Sequence, residues 1–418
     1  MPKPDETATN LVLDESAIVP WADFAHTGPG TLAGRFMRGF WQPISRSEDL
    51  NPGYALPKRI MGEGFTLYRG EGGAAHLLDF RCAHRGTQLS LGWVEGDCLR
   101  CAYHGWVYDG TGQCVEQPAE DAMFAAKVRI RSYPVEEYLG LIFAFVGEGE
   151  PPPLPRYPEF EEDAGLIEVD HGVRRYNYFQ TLENGGDHVH VTFAHGRRVR
   201  DETGAYDIPE IEAWETEWGF SISAQHQRRP SFVRHYGMPN VHIHPKAPRL
   251  PRHLRQELGL NWVNSIAWRA VPIDDQSFLT FEVTFVPVTG EAAERYLEYR
   301  ERARAMADAT PRTEDLADKI MAGELRFLDL EEMEDARSAL MGNVGDYATQ
   351  AGQGMIAERG PQHERLGRSD AAVIVQRQLW ARELRALAEG RPLKQWIRPA
   401  EQASSLAGRD PAYVPAGI

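Results

Sequence analysis

Two short stretches of this 418-residue chain hold side chains that could do metal chemistry. Cys82-Ala83-His84 is followed after sixteen residues by Cys101-Ala102-Tyr103-His104, the pattern C-x-H-x16-C-x-x-H. Each stretch offers one thiolate and one imidazole, so two tight loops can close on a metal centre from opposite sides. Farther along, Asp187, His190 and His195 are spaced D-x-x-H-x4-H. Two neutral imidazoles and one carboxylate on one face of an Fe(II) leave positions open for O2 and a substrate.

The first group admits two readings. Structural zinc is one, and Cys98-x-x-Cys101 adds to it, but zinc fingers draw on Cys–Cys and His–His pairs. One Cys and one His per loop suits a Rieske [2Fe–2S] cluster, with two thiolates on one iron and two imidazoles on the other. Gly86 and Gly105 follow each loop's His closely, as expected where backbone N–H groups approach sulfide. Cys98 and Cys114 read as ordinary strand residues, Tyr103 and Trp106 as packing around the cluster.

The second group is weak alone; it also fits a polar helix end with solvent-facing histidines. It gains force beside the first. His190 and His195 stand about 140° apart on an ideal helix, so a bend or break must lie between them. Asp187, three residues before His190, can bond that ring and orient it. His242-Ile243-His244 reads as a strand pair sharing one face near a pocket. Arg197-Arg198-Val199-Arg200 reads as a solvated basic face that could help admit an anionic substrate.

The elements that must position these groups fall into two regions. Residues 1–33 read as an N-terminal arm closed by the turn Thr27-Gly28-Pro29-Gly30. From Arg35 onward the pattern is short strands and tight turns, with hairpins around 70–73 and 109–112 and a half-buried strand at Val128–Tyr133. Residues 34–148 are therefore expected to be an all-β domain. Gly147 to Pro155, rich in Gly and Pro, supports neither ladder nor helix, and a linker is placed at 149–160. Residues 161–418 read as α+β, an antiparallel sheet with helices. Strands are expected at Ile208–Ala213, Gly219–Ala224, Asn261–Val271 and Ser277–Val288, and charged helices at Glu291–Ala309 and Thr313–Met341. A last helix runs to Ala388 with Ser369 as its cap.

Composition narrows the function classes. Forty-five Lys+Arg against 61 Asp+Glu give a net charge of −16, which argues against nucleic acid or an anionic membrane and suits a basic protein partner. All four cysteines lie between Cys82 and Cys114, which is no disulfide framework. The acidic N-terminus lacks signal-peptide character, and the longest apolar stretch, Leu139 to Val146, is too short to span a bilayer. A soluble, cytoplasmic protein is expected. No G-x-G-x-x-G fingerprint is present, so NAD(P)H would have to be oxidised by a separate reductase.

Both groups together resemble the oxygenase α-subunits of the Rieske non-haem iron, aromatic ring-hydroxylating family, and the resemblance runs through nearly the whole chain. It implies a Rieske domain joined to a helix-grip catalytic domain, a curved antiparallel sheet gripping a helix. It implies that Cys82, His84, Cys101 and His104 hold the cluster, and that His190 and His195 ligate a mononuclear Fe(II) with a downstream carboxylate. Asp329, Glu334, Asp335 and Asp346 are candidates for that carboxylate. Asp346, eight residues before Gly354 and followed by Arg359 and Glu364-Arg365-Leu366-Gly367-Arg368-Ser369-Asp370, resembles the phthalate-dioxygenase-type tail and is preferred, with Asp335 as fallback. Gly345 departs from the family's usual Gln or Glu.

The family also implies a homotrimer in which Asp187, beside Asn184, bridges His190 to a Rieske histidine of the next subunit, His104 being the candidate; the alternative role for Asp187 is a helix cap. Electrons would come from a ferredoxin, a ferredoxin reductase or both. Thr27 to Arg38, Phe40-Trp41-Gln42-Pro43 and Gly185-Gly186-Asp187-His188 resemble family members that O-demethylate a lignin-derived methoxylated biaryl acid with formaldehyde release. Hydroxylation or cis-dihydroxylation of another aromatic carboxylate is the alternative. A Rieske electron carrier needs about a quarter of this length and no His190/His195 pair. Metal content separates the classes, at roughly three Fe per chain for the oxygenase, two for a carrier, and zinc for a zinc-stabilised binding protein.

Overall fold

The computed structural model describes residues 23–161, 164–195, 206–227, 231–246, 248, 250–308, 311–332 and 339–398. The N-terminal half opens with α1 (Leu32–Arg38), β1 (Gln42–Arg46), β2 (Ala55–Ile60), β3 (Glu63–Arg69) and β4 (Ala75–Asp79). It continues through β5 (Trp93–Glu95), β6 (Cys98–Arg100), β7 (Val107–Tyr108), β8 (Cys114–Glu116), α2 (Ala122–Ala125), β9 (Ser132–Tyr133), β10 (Val135–Tyr138) and β11 (Leu141–Ala144). The strands form three small antiparallel sheets, ordered β2-β3-β4-β9, β5-β6-β7-β8 and β1-β11-β10.

Both expected hairpins form. Arg69 faces Ala75 across the first, and Tyr108 faces Cys114 across the second, where Asp109 Oδ1 accepts from the Thr111 and Gln113 N–H groups. Val128–Tyr133, expected as one strand, is split: Ser132–Tyr133 pairs with β4, and Arg129 makes an isolated antiparallel bridge with Gln113. The Val128 carbonyl accepts from the Cys114 N–H and from Gln113 Nε2, and the Ile130 N–H donates to the Gly112 carbonyl, so the segment follows the 109–112 hairpin first and reaches β4 only at its end. Strand pattern was expected from Arg35, but residues 32–38 are helical. Thr31 Oγ1 caps the Gly34 N–H, and Ala33, Phe36 and Met37 form a buried stripe. Phe24 stacks on Phe179 at 4.8 Å, and the Ala25 carbonyl accepts from Asn177 Nδ2, so the end of the arm is fastened to the C-terminal half.

That half runs β12 (Leu166–Arg174), α3 (Tyr178–Gly186), α4 (Val189–Ala194), β13 (Glu210–Glu215), β14 (Gly219–Gln225), β15 (Phe232–Gly237), β16 (Val241–Lys246) and α5 (Arg252–Glu257). Then come β17 (Val263–Asp274), β18 (Ser277–Val286), α6 (Gly290–Asp308), α7 (Thr313–Met321), α8 (Phe327–Glu332), α9 (Ala339–Ala351) and α10 (Ala371–Ala388). Its seven strands make one antiparallel sheet, ordered β12-β18-β17-β16-β15-β14-β13. The helix-grip expectation holds. Period-two alternation gives this sheet two unlike faces. Ile243, Ile266, Trp268, Phe281 and Val283 pack against Tyr138 and Phe143 of the N-terminal half. On the other face Phe220 and Tyr236 stack at 4.8 Å, in one core with α3 and α10. Trp380 of α10 is fully buried against Phe36 and Phe179, which locks α1, α3 and α10 together.

Two helix expectations need correction. Thr313–Met341 is not one helix, because Gly323, at φ +74°, lies just beyond α7 and turns the chain away before α8 and α9. Ser369 does not cap α10. It sits inside a short 3-10 turn, and Asp370 closes that turn by accepting from the Gly367 N–H at 2.6 Å. Among the described residues no helix is long and apolar enough to cross a membrane.

Candidate metal centres

The loops after β4 and after β6 are two copies of one turn. The Cys82 N–H donates to the Thr87 carbonyl and the Cys101 N–H to the Trp106 carbonyl, each at 2.8 Å. Gly86 and Gly105, four residues after each cysteine, take φ of +74° and +75° and donate back to the cysteine carbonyls. That backbone conformation favours glycine, which accounts for the spacing shared by the two loops.

The turns bring the Cys and His side chains face to face. The His84 and His104 rings lie 4.4 Å apart, and both cysteines are free and buried. Trp106 stacks on His84 at 4.6 Å, while Tyr103, 55% exposed, lies 3.8 Å from the His104 ring and covers it from the solvent side. Tyr108 Oη is 3.3 Å from Cys82 Sγ and accepts from the Ala83 N–H. Burial pushes the Cys82 thiol up, only partly offset by Tyr108, so a thiolate there needs a cation beside it. His104 Nδ1 is buried without a hydrogen-bond partner. Two buried thiols and an unpartnered imidazole nitrogen are the donors a Rieske cluster takes. Cys98 lies on β6 and Cys114 on β8, where Cys114 Sγ faces the Glu116 carbonyl.

The second group forms where α3 stops and α4 starts. Asp187 is extended (φ −81°, ψ 103°), and its Oδ1 accepts from the Val189 and His190 N–H groups at 2.9 and 3.2 Å. It thus caps α4, while Oδ2 stands 3.7 Å from His190 Nδ1. His195 is the first residue past α4. The break demanded by the five-residue spacing is this helix end, and it lets the two rings approach to 5.2 Å. The Asn184 side chain, on α3, makes no hydrogen bond among the described residues.

Asp346 on α9 closes the group. Its Oδ1 is 2.8 Å from His195 Nε2 and 3.2 Å from His190 Nε2. One donor atom from each of the three residues lies within 4.8 Å of the others. Ligand atoms about 2.1 Å from a metal and at right angles are about 3 Å apart, so this spacing suits a two-His-one-carboxylate face. Burial would raise Asp346, but the two imidazoles hold it well below the usual carboxylate range. Burial would lower His190, yet Asp187 and Asp346 lift it to about 9. Such mutual stabilisation marks a site that gathers opposite charges.

Of the other carboxylate candidates, Asp329 is paired with Arg326, and Glu334 and Asp335 lie outside the described residues. So does the basic run Arg197 to Arg200. Gly345 has a steric reason. A Cβ there would sit 2.1 Å from the Ala194 carbonyl oxygen, so α9 can lie this close to α4 only with glycine at 345.

Sequence reasoning missed what fixes α3 from behind. Glu183 accepts from Arg377 Nε at 2.6 Å and Arg359 Nη2 at 2.9 Å, and Arg377 also bridges to Glu364. The signal was available as an arginine on the otherwise apolar side of α10. Tyr236 was also missed; its hydroxyl donates to the Gly185 carbonyl and lies 3.4 Å from His188 Nε2.

Residues 40–134 match the family model described as the Rieske [2Fe-2S] domain. The chain is 29% identical over 384 residues to the 5,5'-dehydrodivanillate O-demethylase oxygenase subunit of a Sphingobium species, covering 90% of this chain and 82% of that one. It is 32% identical to the 3-chlorobenzoate-3,4-dioxygenase oxygenase subunit of Comamonas testosteroni, over 65% of this chain and 64% of that one. Among solved structures, the fold is similar to the terminal oxygenase of carbazole 1,9a-dioxygenase from Novosphingobium sp. KA1. That likeness has a TM-score of 0.57 at 22% identity and covers 88% of this chain and 96% of the other.

Proposed function

We propose that the chain is the terminal oxygenase component of a Rieske non-haem iron system that degrades aromatic compounds, and that it O-demethylates a methoxylated aromatic acid resembling 5,5'-dehydrodivanillate. The observation that carries the finer part is the similarity to the demethylase subunit over 90% of the chain. The reaction balances as ArOCH3 + O2 + 2e− + 2H+ giving ArOCH2OH and water, the hemiacetal then collapsing to ArOH and formaldehyde.

Cys82, His84, Cys101 and His104 would hold the cluster, and His190, His195 and Asp346 the mononuclear iron. When bound, the cluster supplies single electrons and the iron activates dioxygen. Asp187 acts as a positioning residue, fixing α4 through two backbone N–H groups and facing the His190 ring. The same carboxylate, 32% exposed, is available to a Rieske histidine of a neighbouring subunit in a homotrimer. Asn184 lies on α3, three residues before Asp187. Tyr103 and Phe124, exposed at the cluster end, offer apolar ground for a ferredoxin, a partner present in a solved carbazole oxygenase complex of the same fold.

A second reading, ring hydroxylation or dihydroxylation of an aromatic carboxylate, draws on the chlorobenzoate relative. A single turnover separates the two. Chemically reduced holoprotein meets O2 and either 5,5'-dehydrodivanillate or plain aromatic acids, and products are quantified. Formaldehyde equal to new phenol is expected; a diol or phenol without formaldehyde would overturn the demethylase assignment.

A further inference from the structure

The sheet face turned toward α3 and α4 carries polar groups that the His190/His195/Asp346 group does not use. Register sets Tyr236 opposite His242, and His242 opposite Ala267. The rings of Tyr236, His242 and His244 stack in succession at 4.5 Å each. Arg234 and Arg269 lie two residues along their strands from Tyr236 and Ala267, on the same side. A Cβ placed on Gly185 would stand 3.5 Å from Tyr236 and 3.7 Å from Arg269 Nη1, so both side chains reach the end of α3, beside Asp187.

Two features of this row call for a ligand. His242 is only 2% exposed, yet neither ring nitrogen has a hydrogen-bond partner, and nor does His244 Nδ1. A buried polar atom left unpaired is destabilising unless a ligand completes its bonds. The charge is also unbalanced. Glu282 is neutralised by Lys246 at 2.8 Å, accepts from Ser265 Oγ at 2.9 Å and stands 3.6 Å from His244 Nε2, which leaves His244 only its Nδ1 side for a ligand. Arg234 and Arg269 have no carboxylate within ion-pair distance among the described residues. Burial, with both guanidiniums adding to it, keeps the His242 ring neutral, an uncharged donor and acceptor beside two fixed cations.

We infer that Arg234 and Arg269, with His242 and His244, form an anion subsite that takes the carboxylate of the aromatic substrate. A guanidinium meets a carboxylate through two parallel N–H bonds, and an imidazole can complete the set or bond a phenol. The inference rests on the proposed function in placing an aromatic acid at this centre, and adds the groups that recognise the acid.

The test is calorimetric titration of anaerobic holoprotein with 4-hydroxy-3-methoxybenzoate and 5,5'-dehydrodivanillate, each against its carboxamide. The acids are expected to bind at least about 10-fold more tightly than the amides, as charge-assisted bonds are worth about 1.5–3 kcal/mol. Arg269→Gln and Arg234→Gln should each collapse that preference, and Arg269→Lys should recover part of it, with the visible spectrum and iron content unchanged. Equal affinity for acid and amide in the unsubstituted protein overturns the inference without any variant. So does failure of both acids to bind, or a preference that survives both Gln substitutions. Acid preference without formaldehyde keeps the subsite and discards O-demethylation; formaldehyde from acid and amide alike does the reverse.

Discussion

The cluster loops and the His190/His195/Asp346 group solve one problem, convergence of donor atoms, by opposite means. Each cluster loop is self-contained. Its cysteine, histidine and glycine lie within five residues, and its two cross-bonds are backbone bonds inside the loop. The second group depends on packing at a distance. Asp346 lies 151 residues beyond His195, and it reaches the histidines only because α9 rests on the end of α4. A local site resists changes elsewhere, whereas a packed site inherits every shift of its supports.

The strongest way to break that contrast is to remove one donor from each. Cys101→Ala should abolish the visible spectrum and leave about one iron per chain. Asp346→Ala should keep the spectrum, lose about one iron, and lower single-turnover product by more than about a thousandfold. Metal analysis beside absorbance reads both outcomes. Loss of the visible spectrum in Asp346→Ala would show that the two regions do not hold their metals independently.

The next largest effect concerns the supports. Arg377 is 4% exposed and bridges Glu183 to Glu364, so Arg377→Met strips Glu364 of its guanidinium, leaves Glu183 with Arg359 alone, and should cost about 3 kcal/mol. Denaturant unfolding followed by far-UV circular dichroism measures it. Gly345→Ala sharpens the comparison further. Its Cβ must displace the Ala194 carbonyl, moving Asp346 away from His195, and single-turnover product should fall about 10- to 100-fold. Gly86→Ala meets nothing nearer than 4.0 Å, so only its φ of +74° resists, at about 1–2 kcal/mol, and the mononuclear iron should be untouched.

The same difference governs how far the sequence could be read. Cys82, His84, Cys101 and His104 were legible from spacing because a turn of five residues is specified by those residues. The strands that alternate clearly, β14, β17 and β18, were equally legible. Leu166–Arg174 was missed, since Asp170, His171 and Gly172 interrupt its apolar pattern and only pairing with β18 holds it. The break between His190 and His195 could be demanded from angular spacing, although its position at the end of α4 could not. Asp346 was reached by resemblance alone; no local pattern separates it from Asp329 until α9 meets α4. The Arg234/Arg269 row stayed hidden because each arginine sits in a strand whose neighbour is fixed only by long-range register.

The smallest expected effect isolates burial, because each region holds an arginine between two glutamates. Arg100 lies between Glu95 and Glu116, whose side chains are 44% and 51% exposed, while Arg377 lies between Glu183 and Glu364 at 11% and 23%. Burial would raise Glu364, but its bonds to Arg377 outweigh that and hold it below its ordinary value of about 4.3. A carboxylate depressed in the folded state adds stability that is fully present above its unfolded pKa and fades as pH falls through the folded one. The stability advantage of the unsubstituted protein over Glu364→Gln should therefore be about 1 kcal/mol and level from pH 7 to 5, then shrink below about pH 4. It should hold in 0.5 M salt. Glu116→Gln should change the unfolding midpoint immeasurably under the same conditions, since water and salt already screen that pair. Equal, salt-sensitive responses from both glutamates would mean that the network behind α3 is no better shielded than the one beside the cluster.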